Sequence, residues 1–418
     1  MSAAAEERPL RVFVIAGEAS GDRLGAALAR GLRAVRSGPV ELLGVGGPAL
    51  AAEGLESLFD IDEIAVMGLA EVAPRLRAIL RRIRETTEAA AAAAPDIVVS
   101  IDAPDFGLRV AKAARPRLGA KTLFAHYVAP SVWAWRPGRA KKYAARLDHL
   151  LALLPFEPPY FEREGLSCDF VGHPIVERAF SEEARRQAGA ALRAELGVAE
   201  AAPLLAVAPG SRRGEVARLA PVFKEAVAAL LAQRPDLAER GLQLIVPMAE
   251  ARVSQLRAAP EPWPAPVHLI DPTGLPFETA EARKTAVFAA ADAALAASGT
   301  VALEFAAART PAVIGYSVSP ITAFIVRRLL RIETGTLTNL VSETRAVPEF
   351  FQENCAPEPI AAALSALLPA RGRESPERAA QIAAAEATMA ALGEGGAPPS
   401  QRAALSLLRA LEQRRASR

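Results

Sequence analysis

The residues of this chain best equipped for chemistry stand in short turns that follow apolar runs. In Ala16-Gly17-Glu18-Ala19-Ser20-Gly21-Asp22, two carboxylates and a hydroxyl are set among two glycines, after Val12-Phe13-Val14-Ile15. In Ile101-Asp102-Ala103-Pro104-Asp105, two more acids follow the apolar Ile97-Val98-Val99. Carboxylates at strand ends suit work on hydroxyls or cations, and a pair of them makes an acid/base pocket. A sugar hydroxyl is far weaker an acid than a carboxylic acid, so Asp102 would take its proton only as the bond to carbon forms. Asp105 reads as a turn residue beside Pro104. Asp22 reads either as an acceptor-side group, with Ser20, or as a cap on the helix that it precedes. Neither turn carries the G-x-G-x-x-G spacing of a dinucleotide site.

Two further turns have the chemistry of phosphate binding. Pro209-Gly210-Ser211-Arg212 and Ala297-Ser298-Gly299-Thr300 each join an apolar run to a helical pattern. Free N–H groups at a helix start attract anions, and an arginine such as Arg212 grips phosphate oxygens bidentately. Glu304, one turn into the second helix, suits the vicinal hydroxyls of a ribose. Together the two turns predict a nucleotide diphosphate held by backbone, arginine and one acid, without a metal.

The tract His126-Tyr127-Val128-Ala129-Pro130-Ser131-Val132-Trp133-Ala134-Trp135-Arg136 holds two of the three tryptophans. His126, Ser131, Trp133 and Trp135 are expected to line a cleft on the acceptor side. Two stretches mix aliphatics with arginines. In one, Val72, Leu76, Ile79 and Leu80 share a helical face beside Arg77, Arg81 and Arg84; the other contains Phe324 and Ile325 before Arg327-Arg328. Such faces suit an anionic membrane surface.

These residues need strands and helices to carry them. Apolar runs alternate with helical patterns throughout, the signature of parallel α/β construction. Strands are predicted at 12–15, 42–45, 97–101, 122–125 and 150–154, with a short one at 169–171. The second half repeats the plan at 204–208, 242–247, 267–270, 293–297 and 312–316. Helices fit 24–35, 75–93, 108–114, 215–231 and 301–308. The expected architecture is two doubly wound domains facing a cleft, 1–175 and 176–385. A helical segment, 386–418, carries Leu405, Leu408 and Leu411 on one face. It is expected to pack back on a first domain, its own or that of a second copy in a homodimer.

Composition fits an enzyme of this kind. Of 418 residues, 51% are hydrophobic and only 5% aromatic, so small aliphatic side chains must fill the cores. A net charge of +2 argues against nucleic acid. Cys168 and Cys355 stand in no ligand-spaced motif, so neither a disulfide framework nor a zinc site is expected. No apolar leader or spanning run is visible, and a reducing cytoplasmic setting is expected.

The motifs AGEASGD (16–22), AVMGLAEV (65–72), IDAPDF (101–106), HYVAPSVWAWRPGR (126–139), LPFEPPYF (154–161), FVGHP (170–174), PGSR (209–212) and SGTVALE (298–304), in that order, resemble the bacterial lipid-A-disaccharide synthase family. The resemblance implies the two-Rossmann GT-B fold and an inverting glycosyltransferase. It implies transfer from UDP-diacylglucosamine to diacylglucosamine 1-phosphate, forming a β-1,6 linkage at the cytoplasmic face of the inner membrane, without cofactor or metal. Carried over by position, Asp102 matches the acid proposed as base and Glu18 the first-loop acid required for activity. Arg212 matches a diphosphate-binding arginine, Glu304 the ribose-binding acid, and Asn339 a nucleotide-side polar residue. The segment Pro260–Pro276 departs from the pattern, and no role is carried into it. The rival readings are another UDP-sugar enzyme of this fold, such as an epimerase, and a membrane-bound nucleotide-sugar sensor.

Overall fold

The computed structural model describes residues 8–64, 69–134, 137–257, 262–318, 333–368 and 375–417, with backbone alone for 69–75. The chain divides into two compact units, one of residues 1–177 and 395–418, the other of 178–394.

In the first unit six strands form one sheet in the order β2-β1-β3-β4-β5-β6. They are β1 (Leu10–Ala16), β2 (Val40–Val45), β3 (Ile97–Ile101), β4 (Leu123–Tyr127), β5 (His149–Ala152) and β6 (Ser167–Phe170). Every pairing is parallel. The strands are apolar on both faces because helices cover both. Alternation along β1 divides the core. Val12 and Val14 face Leu28 and Leu32 of α1 (Ala19–Val35), while Phe13 and Ile15 join the opposite layer with Leu108 and Val110. The short α2 (Pro48–Ala52) follows β2, and the long α3 (Leu69–Ala93) and α4 (Pro104–Leu118) flank β3.

The second unit repeats the plan in the order β12-β11-β10-β7-β8-β9. Its strands are β7 (Leu204–Ala208), β8 (Gln243–Pro247), β9 (Val267–Ile270), β10 (Ala293–Ala297), β11 (Ala312–Tyr316) and β12 (Glu349–Phe351). All pairings are again parallel. The helices used below are α5 (Glu182–Glu195), α6 (Arg213–Gln233), α7 (Phe277–Ala290), α8 (Val301–Ala308) and α9 (Leu337–Ser342). Four buried alanines and Leu295 make up β10, so the sheet centre is filled by close approach rather than by bulk. The polar stretch between the halves is helical: Ser181 caps α5 by accepting from the Ala184 N–H at 3.2 Å, and Leu192 anchors it in the core.

The last helix, α10 (Pro399–Ala416), returns to α1 in the first unit. Its buried face is Ala403, Ala404, Leu407 and Leu411, while Leu405 is exposed. Of the expected 405-408-411 stripe, Leu411 is buried and Leu408 packs against the same core, whereas Leu405 faces away. The helix's polar grip is specific. Ser406 Oγ lies 2.6 Å from His149 Nε2 and donates to Asp169 at 2.6 Å; Arg415 meets Asp96 at 2.7 Å and Arg414 meets Asp148 at 2.8 Å.

Candidate functional site

In an open α/β sheet, ligands bind beyond the carboxyl ends of the strands where the strand order reverses. In the first unit that point lies between β1 and β3. The two acid-bearing turns are the turns that leave these strands. They touch: Ser20 Oγ donates to Asp102 Oδ2 at 2.8 Å, while Oδ1 accepts from the Ala103 N–H at 3.2 Å. The approach depends on Gly17, where a Cβ would fall 2.3 Å from the Ala103 Cβ. The glycine therefore serves the neighbouring turn. Glu18 occupies the N-cap position of α1 in extended backbone.

The same edge stores backbone strain. Asp102 (φ +53), Ala103 (φ +38) and Val128 (φ +83) are left-handed although none is glycine. Each such residue costs about 1–3 kcal/mol and persists only where its surroundings over-determine it. Three such residues at the ends of adjacent strands β3 and β4 mark this edge as a built site.

Two other first-unit candidates, Asp22 and His126, are held by the framework. Asp22 is buried, and its carboxylate accepts from the N–H groups of Gly47 and Ala49 at 2.8 Å and of Leu50 at 3.0 Å. It therefore caps α2, neither facing an acceptor nor capping its own helix. His126 is fully buried, because β4 runs on to Tyr127 and includes it. It pairs in register with Ser100 of β3, and Nδ1 lies 2.7 Å from the Ser100 hydroxyl. Burial lowers its pKa to about 4, so the ring stays neutral near pH 7. Ser131 is exposed; Trp135 lies outside the described residues.

Trp133 is buried, and its Nε1–H donates to Glu157 Oε1 at 3.1 Å. Glu157 Oε2 accepts from the N–H groups of Leu153 at 3.2 Å and Leu154 at 3.0 Å. Burial nevertheless pushes the Glu157 pKa up to about 7, against the pull of these bonds. An acid raised on folding stabilises the native state fully below its unfolded value and loses that contribution as pH climbs through the folded one. Relative to Glu157→Gln, the wild-type protein is expected to lose roughly 3 kcal/mol between about pH 4.5 and 7. Urea midpoints followed by tryptophan fluorescence would test this, and parallel pH curves for the two proteins would refute it.

In the second unit the strand order reverses between β7 and β10. The turns 209–212 and 298–300 leave these two strands and open α6 and α8. Between them lies a cavity of about 420 Å³ lined by Gly210, Ser211, Ser298, Gly299, Thr300 and Glu304, among others. Gly210 is required by its turn, with φ +121 and a Cβ position 2.7 Å from that of Glu215. Arg212, in the same turn, is absent from the lining; its side chain is 70% exposed and 3.3 Å from Glu215.

The opposite wall was not foreseen. It comes from Met248, Pro272, Leu275 and the face of α7 that carries Glu281 and Lys284. Lys284 Nζ donates to Glu304 Oε1 at 2.9 Å and lies 2.9 Å from Glu281 Oε1. The available signal was the i,i+3 spacing of Glu281 and Lys284, which places both on one helical face.

Asn339 is absent from this cavity's lining. It is buried on α9, where Nδ2 donates to Val347 O at 2.9 Å and Glu349 Oε1 at 2.8 Å, and Oδ1 accepts from the Val347 N–H at 3.0 Å. Its hydrogen-bonding capacity holds the chain entering β12. Of the basic-apolar stretches, α3 exposes Leu76 (44%) and Leu80 (47%), whereas Ile79 packs on the core. The Val72 side chain, Phe324 and Ile325 lie outside the described residues. Among the described residues no helix is long and apolar enough to cross a membrane, and no group of three or more His, Cys, Asp or Glu could hold a metal ion.

Residues 12–390 match the family model described as Lipid-A-disaccharide synthetase. The lipid-A-disaccharide synthase of Ruegeria pomeroyi is 52% identical over 401 residues, covering 96% of this chain and 95% of that protein. The one of Rhodospirillum centenum is 46% identical, covering 97% and 96%. Among solved structures, UDP-GlcNAc 2-epimerase from Neisseria meningitidis, bound to UDP-GlcNAc, aligns with a TM-score of 0.58 at 12% identity, over 96% of this chain and all of that one. MurG from Acinetobacter baumannii aligns at 0.54 and 16%, over 96% and 99%. At such identities the likeness is one of fold, the two-Rossmann GT-B architecture.

Proposed function

We infer that this chain, which belongs to the lipid-A-disaccharide synthetase family and is a glycosyltransferase of lipid A biosynthesis, transfers diacylglucosamine from UDP-diacylglucosamine to diacylglucosamine 1-phosphate. The observation that carries this reading is the coincidence of sequence chemistry with topology. The acid-bearing turns lie at the switch point of one sheet, and the phosphate-type turns at that of the other. The second unit holds UDP, with Gly210, Ser211, Ser298, Gly299 and Thr300 around the diphosphate and Glu304 on the ribose. The first unit holds the acceptor, with Asp102 as base and Glu18 orienting a sugar.

The acceptor 6-hydroxyl oxygen bonds to the anomeric carbon as the bond from that carbon to the diphosphate oxygen breaks. The hydroxyl proton passes to Asp102, and UDP leaves with the bonding electron pair. A single displacement inverts the anomeric centre, converting an α donor into a β-1,6 product. Arg212 and the N–H groups opening α6 and α8 stabilise the charge that develops on UDP. Both substrates carry acyl chains, so the enzyme must work at a lipid surface. Leu76 and Leu80, beside the exposed Arg77, Arg81 and Arg84, suit an anionic bilayer.

The test is product formation by the purified protein from radiolabelled UDP-diacylglucosamine and diacylglucosamine 1-phosphate in mixed micelles with EDTA. The expected products are a disaccharide monophosphate and UDP, with no turnover of non-acylated UDP-glucosamine. Equal use of the non-acylated donor, or no product from the acylated pair, would overturn the reading.

A further inference from the structure

The cavity of the second unit poses an electrostatic problem. Its lining carries four carboxylates, Glu215, Glu250, Glu281 and Glu304, against Arg283 and Lys284. Arg283 is engaged with Glu195 at 2.5 Å, and Glu215 with Arg212 at 3.3 Å. A ligand bearing a diphosphate would therefore meet Glu304 as a repelling charge unless another group balances it. Lys284 reaches Glu304 at 2.9 Å, and it bridges to Glu281 at the same distance.

We propose that Lys284 is a positioning residue for nucleotide recognition, holding the Glu304 carboxylate in place to accept from the vicinal hydroxyls of a ribose. The proposal rests on the nucleotide reading given above. Three features support it. Lys284 stands on α7 one turn before Val287 and Phe288, which are buried in the core, so its stem starts from a fixed backbone. Its ammonium takes Oε1 of Glu304, leaving Oε2 for a ligand. Its second bond, to Glu281, restrains the ammonium from swinging to the phosphates. Burial works against the charge of Lys284, but the two carboxylates outweigh it and leave the pKa raised, so the lysine is cationic at neutral pH.

A lysine serving only as counter-charge to the diphosphate would favour all nucleoside diphosphates alike, whereas one that orients Glu304 affects the ribose alone. The test is calorimetric titration of the full chain with UDP and with 2′-deoxy-UDP. Wild type is expected to prefer UDP by about tenfold, the scale of one charge-assisted hydrogen bond. In Lys284→Met the preference should fall to within about twofold. Adding Lys284→Met to Glu304→Gln should leave the preference unchanged, because coupled residues are not additive.

Equal loss of both nucleotides in Lys284→Met would overturn the proposal. Should that variant fail to melt cooperatively, Lys284→Ala removes the donor within the same helix; a wild-type preference there would overturn it equally. Wild-type protein that binds neither nucleotide would instead refute the nucleotide reading on which the proposal stands.

Discussion

Replacing Asp102 with Asn is expected to lower kcat by about two to four orders of magnitude, the usual contribution of a general base. Asn is the informative substitution because Asp102 sits at φ +53, a left-handed conformation that Asn tolerates better than most residues. The amide can keep its oxygen on the Ala103 N–H, which donates at 3.2 Å in the native protein, and turn its NH2 to Ser20 Oγ, which then accepts where it donated at 2.8 Å. Shape, strain and the contact between the two turns are thus preserved, and basicity alone is removed. Asp102→Ala would mix the two effects by putting alanine in a strained conformation. Affinity for UDP should stay within about twofold, since Asp102 acts on the acceptor hydroxyl while the groups assigned to UDP all belong to the phosphate-type turns and Glu304. A kcat unchanged in Asp102→Asn would remove the base assignment and leave Glu18 as the remaining acid of this edge.

The parts of the fold that were legible in the sequence are those set by periodicity. Leu204–Ala208 and Ala293–Ala297 are uninterrupted apolar runs and Ile97–Ile101 is one broken only by Ser100; each is bounded by turns and is a buried parallel strand. The turns after β1, β3, β7 and β10 were legible because chemistry-bearing residues stand where apolar runs stop. Their pairing into one pocket per domain was legible too, but not which strands are neighbours, since strand order is a property of the sheet.

Misassignments arose where a polar residue serves the framework. His126 looked like the start of a loop because it ends an apolar run, yet Ser100 on the neighbouring strand satisfies Nδ1 and draws it inside. Asp22 and Asn339 have the side chains of ligand-binding residues, and both instead satisfy backbone groups of distant turns. A sequence lists such groups without the amides that occupy them. The helix Phe277–Ala290 lies behind a proline-rich approach that hides its period, and with it Glu281 and Lys284, the latter the ion-pair partner of Glu304.

Arg212 carries the other large expected effect. Arg212→Ala should lower kcat/KM by roughly a hundred- to a thousandfold, as removal of one preorganised donor to a developing oxyanion does. The side chain is 70% exposed, and its ion pair to the 13%-exposed Glu215 spans 3.3 Å with the cation in solvent, so the pair is worth little to stability. The melting temperature should therefore hold while activity collapses, and that dissociation separates a chemical role from a structural one. Arg212→Lys refines the result. Lysine keeps the charge but lacks the planar fork that grips two phosphate oxygens at once, so it should recover only a minor part of the loss. Full recovery by lysine would mean that charge alone acts at this position, and an active Arg212→Ala enzyme would move the charge stabilisation to the N–H groups that open α6 and α8.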